Sequence, residues 1–229
     1  QLMWLCYLDF VVRSCGWLEH RETETWRTTA VKMRTAFRER HYHKEQTIIG
    51  EGPAAPSAHA AGLVLGVFEL LERPRAHGRM CLSVRNSPEG ITTGEQTTRM
   101  MLGEVSRHEK FEVAANAVQR CKDLEAKYLI GSIDDWLFGY VLGIRVAEDA
   151  VGGNRVIFRY PQSAGGITWA KGSIETRCGT VYRSWIADAK GNVIESHGCT
   201  GDVEMVNELD EPYPEKEEEE FAPYFDVSF

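Results

Sequence analysis

The chain has 229 residues, 43% of them apolar and 26% charged, and carries a formal charge of −8 at neutral pH. Of its 34 acids and 26 bases, eleven acids and one base, Lys216, fall within residues 201–229, which leaves 23 acids and 25 bases over residues 1–200. A body this close to neutrality excludes the basic excess that advertises nucleic acid or anionic lipid, and the longest apolar runs, LMWLCYLDFVV and AAGLVLGVFELL, fall short of the roughly 20 residues of a membrane span.

The chain opens at Gln1 inside a dense apolar segment with no leader pattern and is read as a piece of a longer polypeptide. Residues 2–18 and 23–40 form two amphipathic segments about a polar turn, with Trp26, Ala30, Met33 and Phe37 at spacings of three and four. That periodicity predicts a helical hairpin. A Gly/Pro turn then opens a helix rich in small residues that is expected to run to about Leu71, with Pro74 and Gly78 as punctuation after it. Two further helices are predicted, from about Glu95 to Val105 and from Phe111 to about Leu124. In GSIDDWLFGYVLGIR, Ser132 is expected to cap a last helix with Asp135 at its third position. Ile133, Leu137, Tyr140 and Ile144 line its inner face, with Trp136 beside them.

Near residue 150 the period changes from helical to alternating. GGNRVIFRYPQ, GITWAKGSIET and GTVYRSWIADAKGNVIESHG predict antiparallel strands, with Gly191 and Asn192 at a hairpin turn, and a short strand after Gly201. The expected fold is therefore α+β and multidomain: helical hairpins over residues 1–146, an antiparallel β-sandwich over 147–207, and a solvated acidic tail over 208–229.

Several motifs carry less than they suggest. GEGPAA at Gly50–Ala55 matches a loose dinucleotide-binding pattern, but the strand before it is only TII and Glu69 falls inside a helix, so no nucleotide cofactor is expected. HYH at His41–His43 could place two imidazoles on one side of a strand, yet no third ligand stands at a recognisable spacing, and no metal is expected. The six cysteines contain no C-x-x-C, and a disulfide between Cys178 and Cys199 is left open. Trp169, near Ile167 and Ile174, is expected to pack in the sheet or against the helices rather than to stack on a sugar. No G-x-S-x-G elbow is present.

Two stretches, GSIDDWLFGYVLGI (Gly131–Ile144) and GGITWAKGSIETRCGTVYRSW (Gly165–Trp185), resemble the junction at which the (α/α)6 barrel of α-L-rhamnosidase-like glycoside hydrolases runs into a C-terminal β-sandwich. GITTGEQTTRMML is similar to that family's barrel-mouth loop and the helix after it. The resemblance implies a partial helical toroid, a carbohydrate partner, and hydrolysis of terminal rhamnosides with inversion. Inversion needs two carboxyl groups roughly 6.5–9.5 Å apart, one an acid and one a base. By the resemblance, neither family carboxylate can be carried over: the acid-bearing segment is absent, and KDLEAKYLI stands where the base motif would lie. There Ala126 and Lys127 replace an Asn-His pair, and Tyr128 alone keeps the pattern. The chain by itself is accordingly expected to be catalytically incomplete.

Among the loop-proximal acids Glu51, Glu89, Glu95 and Glu125, Glu95 is the remaining catalytic candidate, since it follows the family-like loop. Its bland alternative is a helix-start carboxylate favoured by the dipole. Thr92, Thr93 and Gly94 are the candidate sugar-facing residues, against ordinary turn chemistry. Two rival readings are a carbohydrate-binding or structural remnant and another six-hairpin glycosidase or phosphorylase. Half a toroid would leave apolar helix faces uncovered, which predicts self-association.

Overall fold

The computed structural model describes residues 2–50, 55–91, 93–107, 111–121 and 130–208. Helix α1 (Leu2–Trp17) and helix α2 (Thr23–His41) pack as the predicted hairpin, and Arg38, Arg40 and His41 in the last turn of α2 suit the negative end of its dipole. A two-residue antiparallel pair, β1 (Tyr42–His43) and β2 (Ile48–Ile49), leads into α3 (Pro56–Val64), α4 (Arg73–Asn86), α5 (Glu95–Arg107), α6 (Phe111–Arg120) and α7 (Ile130–Trp136). No helix among these residues is long and apolar enough to cross a membrane.

Three helical expectations need correction. The small-residue helix stops at Val64 rather than near Leu71, because the chain turns at Gly66, whose φ is +67°, and the Leu65 and Val67 amides bond back to Ala61 and Gly62. What reads as punctuation is then a helix of its own: Pro74 occupies the first turn of α4, where its missing N–H costs nothing, and Gly78 sits within it. Ser132 does not cap α7 but lies buried inside it, and after Trp136 the helix widens into a π-helical segment, Leu137–Leu142. Widening shifts the face on which each later residue falls. So Trp136 and Ile133 are core residues, while Leu137 and Phe138 are more than a third exposed. Gly143, in the left-handed region at φ +75°, ends the segment, and Ile144 already belongs to strand β3 (Ile144–Val146).

The strands follow the alternating pattern. Strands β5 (Trp169–Thr176), β6 (Gly179–Ala187) and β7 (Val193–Cys199) form an antiparallel sheet in the order β5-β6-β7. Its second hairpin is closed by Asp188, whose carboxylate accepts from the Lys190 and Asn192 amides at 2.8 and 2.9 Å. A second sheet runs β3-β4-β8, with β4 (Arg155–Phe158) antiparallel to β3 but parallel to β8 (Glu204–Asn207). That parallel pair departs from the all-antiparallel expectation. A parallel partner requires a crossover, and the whole β5-β6-β7 meander supplies it.

One core joins the helices through Leu5, Leu65, Met80, Leu102, Phe111 and Trp136. Phe111 and Trp136 stack at 5.4 Å, and the Trp136 indole N–H donates to the Ser106 hydroxyl at 2.8 Å. Trp185 of β6 enters the same core and donates to the Val141 carbonyl at 2.9 Å, which ties the sheet to the π-helical segment. A smaller core of Leu142, Ile144, Val156, Phe158, Val181 and Val203 fills the space between the sheets. Helix α1 is apolar around its circumference. Leu5 faces inward, while Trp4, Tyr7, Phe10 and Trp17 stay more than half exposed.

Candidate functional site

The predicted sugar-facing loop runs onto the N-terminus of α5. Gly90, at φ +73°, brings the loop against α6 so closely that a Cβ there would lie 2.2 Å from the Ala117 carbonyl oxygen. Only glycine fits such an approach in that conformation. Thr93 is buried, and its hydroxyl shares a hydrogen bond of 2.6 Å with the Thr98 hydroxyl. Gly94 caps the helix through its carbonyl, which accepts from the Thr97 and Thr98 amides at 3.1 and 3.0 Å. The Thr93 hydroxyl is therefore occupied within the fold. Thr92 lies outside the described residues; Glu95 is the first residue of α5, and its side chain is not described.

One turn further along α5, Arg99 pairs with Asp135 of α7 at 2.9 Å. The spacing puts Arg99 on the same face of α5 as Glu95. Burial pushes the Asp135 carboxyl above the usual aspartate range, neighbouring Asp134 pushes the same way, and Arg99 opposes both. Sequence reasoning assigned Asp135 only a capping role. Its partner is remote in the chain, and the packing of α5 on α7 is the signal that was missing. Of the other loop-proximal acids, Glu89 is exposed, and Glu51 and Glu125 lie outside the described residues, as do Ala126, Lys127 and Tyr128.

A second polar concavity, of about 200 Å³, is lined by Arg34, Arg38, Glu39 and Glu69 with Val31, Thr35 and Gly66. Its cations are held by the fold. Arg38 donates to Glu72 at 2.8 Å, to Glu69 at 3.1 Å and to the Val67 carbonyl, and lies 4.4 Å over the Tyr42 ring. Burial, with Glu72 beside it, pushes the Tyr42 hydroxyl up to about 12. Arg34 pairs with buried Asp9 and donates to the Leu65 carbonyl at 2.7 Å. Burial raises the Asp9 carboxyl above its usual range against the pull of Arg34, and burial together with the Asp9 charge pushes the nearby Cys6 thiol up to about 11.

The histidines make no metal site. His41 ends α2 rather than standing on a strand with His43, and among the described residues no cluster of three His, Cys, Asp or Glu could hold a metal ion. Buried His59 is fixed between the Ala55 and Thr47 carbonyls at 3.1 and 3.2 Å, and burial lowers its basicity. Cys178 and Cys199 are free thiols. Trp169, expected to pack, stands 65% exposed on β5.

Solved structures with the same architecture are α-L-rhamnosidases. The chain matches the native enzyme of Aspergillus terreus with a TM-score of 0.74 over 89% of its length at 13% identity. It matches the Streptomyces avermitilis enzyme, solved as a complex with L-rhamnose, at 0.70 over 86% and 16% identity. The corresponding values for the Bacillus sp. GL1 rhamnosidase are 0.65, 82% and 11%. It spans about a quarter of those proteins, 27%, 22% and 23% of their respective chains. No family model matches the sequence, and no curated protein does. The fold is that of part of an α-L-rhamnosidase, in the arrangement the Gly131–Trp185 junction resembles.

Proposed function

We propose that this chain is the C-terminal portion of a carbohydrate-active enzyme that hydrolyses terminal α-L-rhamnosides with inversion. The observation that supports this most is the joint fold of helical hairpins and sheets, which matches solved rhamnosidases over more than four-fifths of the chain. Likeness of fold is an argument by analogy. Within that reading the domains divide at residues 146 and 207, the loop at Thr92–Gly94 faces the sugar, and Glu95 or Asp135 contributes an acid beside Arg99.

The test is release of chromophore from an α-L-rhamnoside by residues 1–229 and by a chimera that places the N-terminal helical half of the Aspergillus terreus enzyme before residue 1. Silence of the chain with turnover by the chimera is the expected result, with β-L-rhamnose as the first-formed anomer. A folded chimera that is silent would overturn the hydrolase reading.

A specific observation favours a carbohydrate-binding remnant as the second reading: the Thr93 hydroxyl is buried and spent on Thr98, leaving less polar chemistry at the loop. Self-association belongs to either reading, since four aromatic side chains on the outer face of α1 have no cover among the described residues. The expected sedimentation coefficient rises with protein concentration and the rise is reduced in Phe10→Lys; one that is independent of concentration removes this surface as an interface.

A further inference from the structure

The outward face of the β5-β6-β7 sheet is a built surface whose role the helical site does not explain. Along β5 the alternate residues Trp169, Lys171, Ser173 and Glu175 are exposed while those between them turn inward. The strand register places Ile186 and Ile194 beside Trp169 in one row. All three are more than half exposed, Trp169 at 65%. The next row is Lys171, Ser184 and Ser196, and the one after it Ser173, Tyr182 and Gly198.

The third row holds the more telling geometry. A Cβ on Gly198 would lie 2.4 Å from the Tyr182 hydroxyl oxygen and 2.7 Å from its Cζ. The phenol ring thus lies across β7 in the space that a side chain would fill, and it is still 47% exposed. Glycine in a strand interior is costly unless something needs its space, and here that something is a ring laid over the sheet.

Trp169 and Tyr182 are two rows apart, about 13 Å along the strands at ~3.3 Å per residue. Between them lie hydroxyls and one lysine. The charges of Lys171 and Glu175 cancel, so the face suits an uncharged ligand. Its size decides the class of occupant. Three strands ~4.8 Å apart and rows spanning about 20 Å cover roughly 200 to 300 Å². A stable protein interface needs about 800 Å² from each partner. Two aromatic planes with hydroxyls between them suit the alternating C–H faces and hydroxyl edges of a neutral oligosaccharide of about three sugars.

We propose that this face is a binding platform for a neutral glycan, separate from the α5 loop, with Trp169 and Tyr182 as stacking surfaces and the middle row as hydrogen-bonding groups. It deepens the carbohydrate reading above but needs no hydrolysis, so it stands or falls independently of it.

The test is affinity electrophoresis of the full chain in native gels containing a neutral rhamnose-bearing polysaccharide, with dextran and an anionic polygalacturonate in parallel gels. Retardation in at least one neutral gel is expected, weakened about tenfold in Trp169→Ala and in Tyr182→Ala. Gly198→Val keeps the ring but drives it off its seat, and a valine suits a strand, so equal weakening is expected without loss of fold. Unchanged thermal melting of the variants would tie the effect to the face. Three results would overturn the proposal: no retardation in either neutral gel, equal retardation of wild type and Trp169→Ala, or retardation by polygalacturonate alone.

Discussion

Arg183→Leu is expected to destabilise the chain by about 3–5 kcal/mol, the cost of removing one partner from a buried ion pair. The Arg183 side chain is 2% exposed and joins three parts of the β-region at once. It donates to the Gly143 carbonyl at 2.7 Å and to the Arg159 carbonyl at 2.6 Å, pairs with Glu195 of β7, and lies 5.2 Å over the Phe158 ring. Leucine would fill part of the volume but leave two carbonyls and a carboxylate without their donor. The check is a urea-unfolding midpoint read by circular dichroism. Adding Glu195→Leu should restore part of the loss, since it removes the orphaned charge. A loss below about 1 kcal/mol in the single variant would mean that water replaces the guanidinium, and the clasp described here would be wrong.

The second large effect carries a pH signature. Asp9 is 3% exposed; one carboxylate oxygen is held by Arg34, and the other has no partner among the described residues. Arg34→Met is expected to cost about 3–5 kcal/mol at pH 7, because an unpaired carboxylate stays buried against Leu5 and its neighbours. Burial already holds the Asp9 pKa above its unfolded value, and loss of the arginine raises it further. A carboxyl with a raised folded-state pKa contributes stability that is fully present below the unfolded value and is lost as pH rises through the folded value. The variant should therefore regain stability on acidification through that window, relative to wild type, in unfolding curves taken between pH 4 and 8. A deficit that does not change with pH would show that packing, not charge, is what Arg34 supplies. Asp9→Leu with Arg34→Met should recover much of the stability, as apolar replacement of a whole buried pair does.

Both residues also show where sequence reading stops. Arg34 sits on α2 among other cations of similar spacing, and nothing local separates it from Arg27 or Arg38. Its burial is decided by the approach of α1, which brings Asp9, and by the turn at Leu65. The same holds at the candidate site. TTG before a helix was legible as a loop, but that the Thr93 hydroxyl turns inward to Thr98, and that Asp135 meets Arg99, depends on how α5 packs against its neighbours. Trp169 was misjudged for a related reason. Alternation gives the two faces of β5 but not which face the helices cover, and they cover the side of Ala170 and Trp185.

By itself the sequence determined the change of period near residue 150, the hairpin of α1 and α2, the hairpins of β5, β6 and β7 with their turns, and the junction whose resemblance points to rhamnosidases. Those are local properties: spacing of apolar residues, turn chemistry, and side-chain alternation. Only the tertiary structure decided that α4 is a helix across Gly78, that α7 widens after Trp136, that β8 runs parallel to β4, and that the Trp169 and Tyr182 face is left open. Each depends on contacts between segments far apart in the chain, whose free energy exceeds the local preference and which no window of sequence contains.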